Sequence, residues 1–324
     1  MPVAVRRVLI ATLVTSALAL MTTATALAGN GGFLPPPAHS PNAQRVTDAY
    51  IFVGAFSLVI FLIVEVSLIT FIVKYRRGKR ARNVEGPQIH GAGRLEIIWT
   101  VVPVLILAAI GTFVFYKLPG IADVPKAAAA DETTVKIEGH QFYWLFRYPN
   151  GAVSIDRMVA PADEVVKEDV IGLGFDVNHS WWVPELGGKF DAIPGITNKT
   201  WFKAPQGDYV ARCAELCGIQ HALMDGDVHV VPRAQYDQFI STRASAAGTK
   251  ALGSEEWHGV CQSCHRLDHK YIGPALGGNP LLKDRKGIEQ LLRNGQGQMP
   301  AVGRNWTAHQ IDALVAYTKT LGAS

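Results

Sequence analysis

The sequence predicts a multidomain membrane protein: a two-helix transmembrane hairpin, then a β-sandwich or barrel, then a small all-α domain. Three observations carry that prediction. Apolar runs at about 46–73 and 95–116 each match the ~20 residues that one helix needs to cross the hydrocarbon core. Between Thr133 and Val231 the pattern changes to short β-rich runs punctuated by turns. From about residue 253 it turns helical, closing on Thr307–Leu321 with Thr307 at the N-cap and Ile311, Leu314, Val315 and Thr318 on one side.

The elements follow in order. Arg6 and Arg7, an apolar stretch from Val8 to Met21 and the small-residue site Ala26-Leu27-Ala28 read as a signal peptide over 1–28, an uncleaved anchor being the competing reading. A Pro-rich N-terminal segment, 29–45, leads into the hairpin, 46–117. Glu65 interrupts the first span; it lies about 13 Å from the Lys74 end at the helical rise, a depth at which an ionisable group should face protein. Lys74, Arg76, Arg77, Lys79, Arg80, Arg82 and Arg94 fill the loop between the spans. The positive-inside rule makes that loop cytoplasmic, so a two-pass chain in a bacterial plasma membrane would hold its N-terminus and C-terminal domains on the outer, periplasmic or extracellular side. A linker, 118–130, precedes the β-rich domain, 131–232, whose runs include Thr133–Glu138, Gln141–Tyr148, Val170–Val177, Thr200–Lys203, Asp208–Arg212 and Asp227–Val231. A Ser/Ala-rich linker, 233–252, then leads to the last domain, 253–324. With most basic residues gathered in one loop and a net charge of only +4, no nucleic-acid surface is implied.

Four cysteines stand as two close pairs, which in an oxidising compartment would by default be disulfides. Their neighbours argue otherwise. Cys213-Ala-Glu215-Leu-Cys217-Gly-Ile-Gln-His221-Ala-Leu-Met224 packs two thiolates, an imidazole and a thioether together, and His179 offers a second imidazole upstream. Such soft donors suit copper, whereas Mg²⁺ and Ca²⁺ want oxygen. A strand-end histidine joined to a late loop of Cys, His and Met is how a copper β-sandwich builds its site, and a second cysteine lets both sulfurs bridge two coppers. Spacing alone leaves open a Cys213–Cys217 disulfide, which ignores both histidines, or a zinc knot of His179, Cys213, Cys217 and His221, which ignores Met224.

Cys261-Gln-Ser-Cys264-His265 is the attachment pattern of c-type haem, with two thioethers to the porphyrin and the histidine on iron. A redox-active CxxC pair would sit in a βαβ context, which is missing here. Met299, in Gln296-Gly-Gln-Met299-Pro300, stands downstream as the second axial ligand. His258 and His269 read as surface residues.

Up to about Val231 the chain resembles subunit II of cytochrome c oxidase. The resemblance is carried by Glu96-Ile-Ile-Trp99-Thr100-Val-Val-Pro103, Gly139-His140-Gln141-Phe142-Tyr143-Trp144, His179-Ser-Trp-Trp-Val-Pro184 through Asp191-Ala-Ile-Pro194-Gly195, and Cys213 through Met224. It implies a cupredoxin-like domain with a binuclear Cu_A centre. Cys213 and Cys217 would be bridging thiolates, His179 and His221 terminal ligands, and Met224 and the Glu215 carbonyl weak ligands. It further implies that the Glu215 side chain reaches a Mg²⁺ shared with subunit I, above a hydrogen-bonded layer containing Asp191. Glu96, at the cytoplasmic edge, would sit at the mouth of a proton path, the bland reading being a carboxylate placed by the helix dipole. Two positions depart from the family: Ile196 replaces an Arg, and Phe142 replaces the Trp that faces a soluble cytochrome c.

From Gly253 to Leu321 the chain resembles a class I cytochrome c, with Ile272-Gly273-Pro274 supplying the carbonyl that fixes the His265 ring, and Trp257 and Tyr317 in helix packing. The whole is similar to caa3-type oxidases. The resemblance implies a proton-pumping complex with subunits I and III, fed by cytochrome c or another donor, in which oxygen is reduced on subunit I. Electron acceptance would lie at the fused haem domain or, failing that, near Phe142. A Cu_A subunit of a nitrogen-oxide reductase and a copper or haem assembly protein are the competing readings; the intact ligand set excludes a quinol-oxidase subunit II.

Overall fold

The computed structural model describes residues 34–76, 86, 88, 90–124, 133–244 and 246–321. The expected signal peptide, Arg77, Lys79, Arg80 and Arg82 of the basic loop, and residues 125–130 of the linker lie outside the described residues. The chain divides into two compact units, the first being the helical pair and the second comprising residues 36–44 and everything after Pro119.

In the first unit, α1 (Pro41–Tyr75) and α2 (Gly93–Lys117) are both long and apolar enough to cross a membrane. Even α2, the shorter at 25 residues, reaches about 37 Å at 1.5 Å per residue, against a hydrocarbon core of about 30 Å. The start of α1 lies against the end of α2: Lys117 Nζ meets Asp48 at 2.6 Å, and Phe52 stacks on Phe113 at 4.1 Å. Ile63, Ile72, Leu105 and Leu107 stay exposed, as side chains do when lipid or another protein is to cover them. Glu96 closes the first turn of α2, its Oε1 accepting the Ala92 N–H at 3.1 Å.

The second unit contains a β-sandwich of two five-stranded sheets, ordered β3-β2-β1-β5-β8 and β4-β10-β9-β6-β7. The strands are β1 (Thr133–His140), β2 (Tyr143–Arg147), β3 (Val153–Ile155), β4 (Arg157–Pro161), β5 (Val166–Gly172), β6 (His179–Trp182), β7 (Phe190–Ala192), β8 (Thr197–Phe202), β9 (Gly207–Cys213) and β10 (Asp225–Val231). β1 pairs parallel with β5 and β10 parallel with β4; the other ladders are antiparallel. The alternating residues of β5 and β9 put Val166, Val170, Tyr209 and Ala211 into a core with Trp144, Phe146, Met158 and Trp181. Four strands, β3, β4, β6 and β7, lie outside the runs that the sequence pattern singles out. They are three to five residues long, too short to show alternation. Asp156, held at φ +52°, breaks β3 from β4.

The stretch 233–252, expected as a linker, is helical instead: α3 (Arg233–Arg243) and α4 (Ala246–Glu255). Alanine, serine and lysine serve a solvated helix face as readily as a tether, and the choice is made by Tyr236 and Leu252, both 2% exposed. A π-helical turn, Glu256–Cys261, follows, then α5 (Arg285–Asn294) and α6 (Ala308–Leu321). Thr307 and Gln310 cap α6 reciprocally: Thr307 Oγ1 accepts the Gln310 N–H and Gln310 Oε1 accepts the Thr307 N–H.

The helical domain does not have a core to itself. Trp257, Leu292, Trp306, Ile311 and Leu314 form one cluster with Tyr143, Leu145, Val153 and Ile155 of the sandwich. Around that cluster runs a polar seam. Tyr143 Oη donates to the Val302 carbonyl at 2.5 Å and accepts from Trp306 Nε1 at 2.8 Å. Glu138 Oε2 accepts from Asn305 at 2.9 Å while its other oxygen accepts from Arg147 Nε at 2.6 Å.

Candidate functional site

β6 ends the histidine-bearing loop and β9 delivers Cys213 beside it, because Trp181 pairs with Cys213 across the two strands. The loop from Cys213 to Met224 then folds back into β10, closed by the Cys213 N–H to Met224 carbonyl bond at 3.0 Å. The donors converge. Cys213 Sγ lies 3.9 Å from His179 Nδ1, 3.8 Å from Cys217 Sγ and 3.3 Å from the Glu215 carbonyl. Cys217 Sγ lies 3.7 Å from His221 Nδ1 and 3.9 Å from Met224 Sδ. His179 and Met224 are at most 1% exposed.

This arrangement is not a disulfide, whose sulfurs lie about 2.05 Å apart; both cysteines are free. Thiolate–metal bonds of about 2.3 Å reach an ion placed between sulfurs 3.8 Å apart without movement. The thioether adds a soft donor that fits copper better than zinc. The contact between the two sulfurs lowers the Cys213 pKa and raises that of Cys217, so the pair favours one thiolate and resists a second.

Supporting residues fix the donors. Asp176 Oδ1 lies 3.3 Å from His179 Nε2, which turns Nδ1 toward the sulfurs. Burial pulls the His179 pKa down, but Asp176 and Cys213 outweigh it and raise it. Gln141 Nε2 donates to the Cys217 carbonyl at 3.1 Å. Gly218, at φ +133°, must be glycine twice over, since a Cβ there would also stand 2.9 Å from the Phe142 ring. Neither role was read from the sequence: Gln141 acts on the Cys217 carbonyl of a separate loop, and Asp176, only three residues before His179, carries no motif that marks it as the histidine's partner.

Around Glu215 the structure adds a cation of its own. Lys189 Nζ lies 2.6 Å from Asp191 Oδ1, which also accepts from Ser180 Oγ at 2.8 Å, and 3.6 Å from Glu215 Oε2. With the ammonium between both carboxylates, this chain's residues alone do not make a Mg²⁺ site. Ile196, where the family carries Arg, is exposed.

The second constellation lies in the helical domain. The CxxCH turn is closed by the His265 N–H to Cys261 carbonyl bond at 2.9 Å, and Cys261 and Cys264 are free. His265 Nδ1 donates to the Pro274 carbonyl at 2.8 Å, which commits that nitrogen and leaves Nε2 as the ligating atom. The ring lies so close to Gly273 that a Cβ there would stand 2.3 Å from it. Two free thiols plus an oriented imidazole fit a covalent haem. Met299 sits half-buried in a turn closed by two bonds of 3.0 Å with Gln296. Trp257 is buried, and His258 lies against Tyr317 at 5.8 Å.

Comparison with known proteins agrees with this geometry. Residues 28–116 match the transmembrane domain of cytochrome c oxidase subunit II, and residues 152–231 match its periplasmic domain. The chain is 31% identical over 310 residues to cytochrome c oxidase subunit 2 of Alkalihalophilus pseudofirmus, covering 87% of this chain and 88% of that one. It belongs to the cytochrome c oxidase subunit II family. A second relative, cytochrome c oxidase subunit 2 of Bacillus sp. (strain PS3), is 31% identical over 285 residues, covering 76% of this chain and 80% of that one. The periplasmic domain of the Bradyrhizobium japonicum subunit II, a solved structure, is 33% identical, covers 37% of this chain and 96% of that one, and has a TM-score of 0.35. Residues 248–317 of this subunit match the family model for cytochrome c oxidase, cbb3-type, subunit III. A subunit II with a fused cytochrome c domain is thus a membrane protein with copper and haem chemistry on a domain outside the bilayer.

Phe142 and the CxxCH turn face one crevice of about 440 Å³, lined also by Gln220, Leu223, Gln262 and Ser263. Position 142 therefore looks toward the chain's own haem domain.

Proposed function

We propose that this chain is the arm of a haem–copper oxidase that accepts single electrons from cytochrome c or another donor outside the membrane and delivers them to the oxygen-reducing subunit I, with subunit III alongside. His179, Cys213, Cys217, His221, Met224 and the Glu215 carbonyl would hold two coppers, and Cys261, Cys264, His265 and Met299 one haem c. When bound, these groups supply the one-electron couples. The protein supplies fixed donors: Asp176 and Pro274 orient the two imidazoles, and burial keeps water from His179 and Met224, so little rearranges when charge changes. That suits a relay, not a catalyst. Leu216 and Ile219 on the copper loop are exposed, as side chains are where another subunit is to cover them. The N-terminus and both C-terminal domains lie outside by the positive-inside rule. Glu96 would pass protons toward subunit I. A Mg²⁺ reached by the Glu215 side chain would need ligands from subunit I and displacement of Lys189.

One observation carries this reading: two thiolates, two imidazoles and a thioether meet at one end of the sandwich, each within 4 Å of another. The test is Cys217→Ser in the purified complex. It should abolish the mixed-valence electron-spin signal and lower the copper content, while Met224→Leu should keep both copper ions with an altered potential. A Cys217→Ser protein that retains two coppers and a delocalised spectrum overturns the assignment. Metal analysis of Glu215→Gln separately tests the magnesium.

A further inference from the structure

The copper-site loop and the haem-attachment turn meet through a side chain that neither constellation uses. Gln220 directly precedes His221, is 2% exposed, and donates from Nε2 to the Ser263 carbonyl oxygen at 2.8 Å. Ser263 directly precedes Cys264. A continuous path therefore runs from the His221 backbone through the Gln220 side chain and one hydrogen bond to the Ser263 carbonyl and Cys264.

We propose that Gln220 is the bridging residue that couples the haem-bearing turn to the copper-bearing loop, setting the rate at which an electron crosses between them. This rests on the reading of the chain as an electron relay. In the step, one electron leaves the group on the CxxCH turn, which is oxidised by one, and arrives at the group on the copper loop, which is reduced by one. No bond forms or breaks, and no proton is required.

Two arguments separate this role from plain adhesion. The helical domain is already held by the cluster it shares with Leu145, Val153 and Ile155 and by the Tyr143–Trp306 and Glu138–Asn305 bonds. The small return from one neutral hydrogen bond is largely offset by ordering a rotamer-rich side chain, so Gln220 adds little stability. Its position does matter. Beside it the two loops are parted by the open crevice of about 440 Å³, and electronic coupling through a gap is weaker than through covalent and hydrogen bonds. Gln220 spans the gap where the loops come together.

The experiment uses the complete oxidase with electrons injected photochemically into the haem domain, following both centres by transient absorbance. Gln220→Met keeps the length but loses the donor; Gln220→Asn keeps the amide but falls short by one methylene. Each should slow transfer between the domains roughly tenfold or more, the scale on which small losses of alignment count. The copper electron-spin signal and the hydrogen-exchange protection of residues 143–147 and 302–311 should stay unchanged. Transfer at the unaltered rate in either variant overturns the proposal. Slowed transfer accompanied by lost protection also overturns it, since Gln220 would then be a clamp. If the unaltered protein itself shows no transfer between the domains, the relay reading fails, whatever Gln220 does.

Discussion

Replacing Tyr143 by Phe removes a single oxygen from the seam between the sandwich and the helical domain. The ring is fully buried and keeps its stacking on His140 at 4.5 Å, so packing is preserved. Two bonds disappear: the one to the Val302 carbonyl at 2.5 Å and the one from Trp306 Nε1 at 2.8 Å. The indole N–H is then left buried without an acceptor, at a cost of about 1–3 kcal/mol, with a smaller loss at the carbonyl, which has a second lone pair. A total near 2 kcal/mol corresponds to roughly a 30-fold rise in the population of the undocked state. Hydrogen exchange read by mass spectrometry on the intact chain should show that acceleration in residues 143–147 and 302–311, with residues 207–213 of β9 unaffected. Trp306→Phe probes the same bond from the other side, and the double variant should show coupling of about 1 kcal/mol. Protection in Tyr143→Phe within about threefold of the parent, equivalent to under ~0.7 kcal/mol, would mean that the seam is not where the domains are held.

Other outcomes follow from the same structure. Burial pushes the Glu138 pKa up, but the His140 ring 3.5 Å away and the hydrogen bonds from Arg147 overcome it and hold the carboxyl at about 2, against 4.5 unperturbed. Because the folded value is depressed, its stabilisation is complete above pH 4.5 and lost as pH falls toward 2. The stability gap between parent and Glu138→Gln, followed by thermal melting, should therefore close across that window; a gap independent of pH would refute the pairing. Gly273→Ala places a methyl 2.3 Å from the His265 ring and should cut covalent haem incorporation sharply, read by haem-stained gels. A chain ending at Ser241 exposes Leu145, Val153 and Ile155 and should aggregate or lose thermal stability even with copper bound; a truncated chain as stable as the parent would show the shared core to be dispensable. Glu96→Gln should slow turnover without altering the copper spectrum, and turnover unchanged across pH would remove its proton role.

Much of this protein was legible in one dimension because its chemistry is local in sequence. A membrane span is a continuous apolar run, so α1 and α2 emerge within a few residues of their expected limits. Cys213 through Met224 and Cys261 through His265 are each a single loop, so the candidate donors and their spacing could be read directly, whereas His179 and Met299 stand apart from them in sequence.

What tertiary structure alone decided is how those pieces lean on one another. Residues 233–252 have a composition that serves a tether or a helix equally, and burial of Tyr236 and Leu252 against the rest of the unit chose the helix. The strands β3, β4, β6 and β7 are too short to show a period, so only the ladders beside them fix their conformation. Asp176 on His179, Lys189 between two carboxylates and Gln220 on Ser263 join residues 2 to 43 positions apart in sequence. The sequence specifies each donor and acceptor, but whether two of them meet depends on the packing of every element between them.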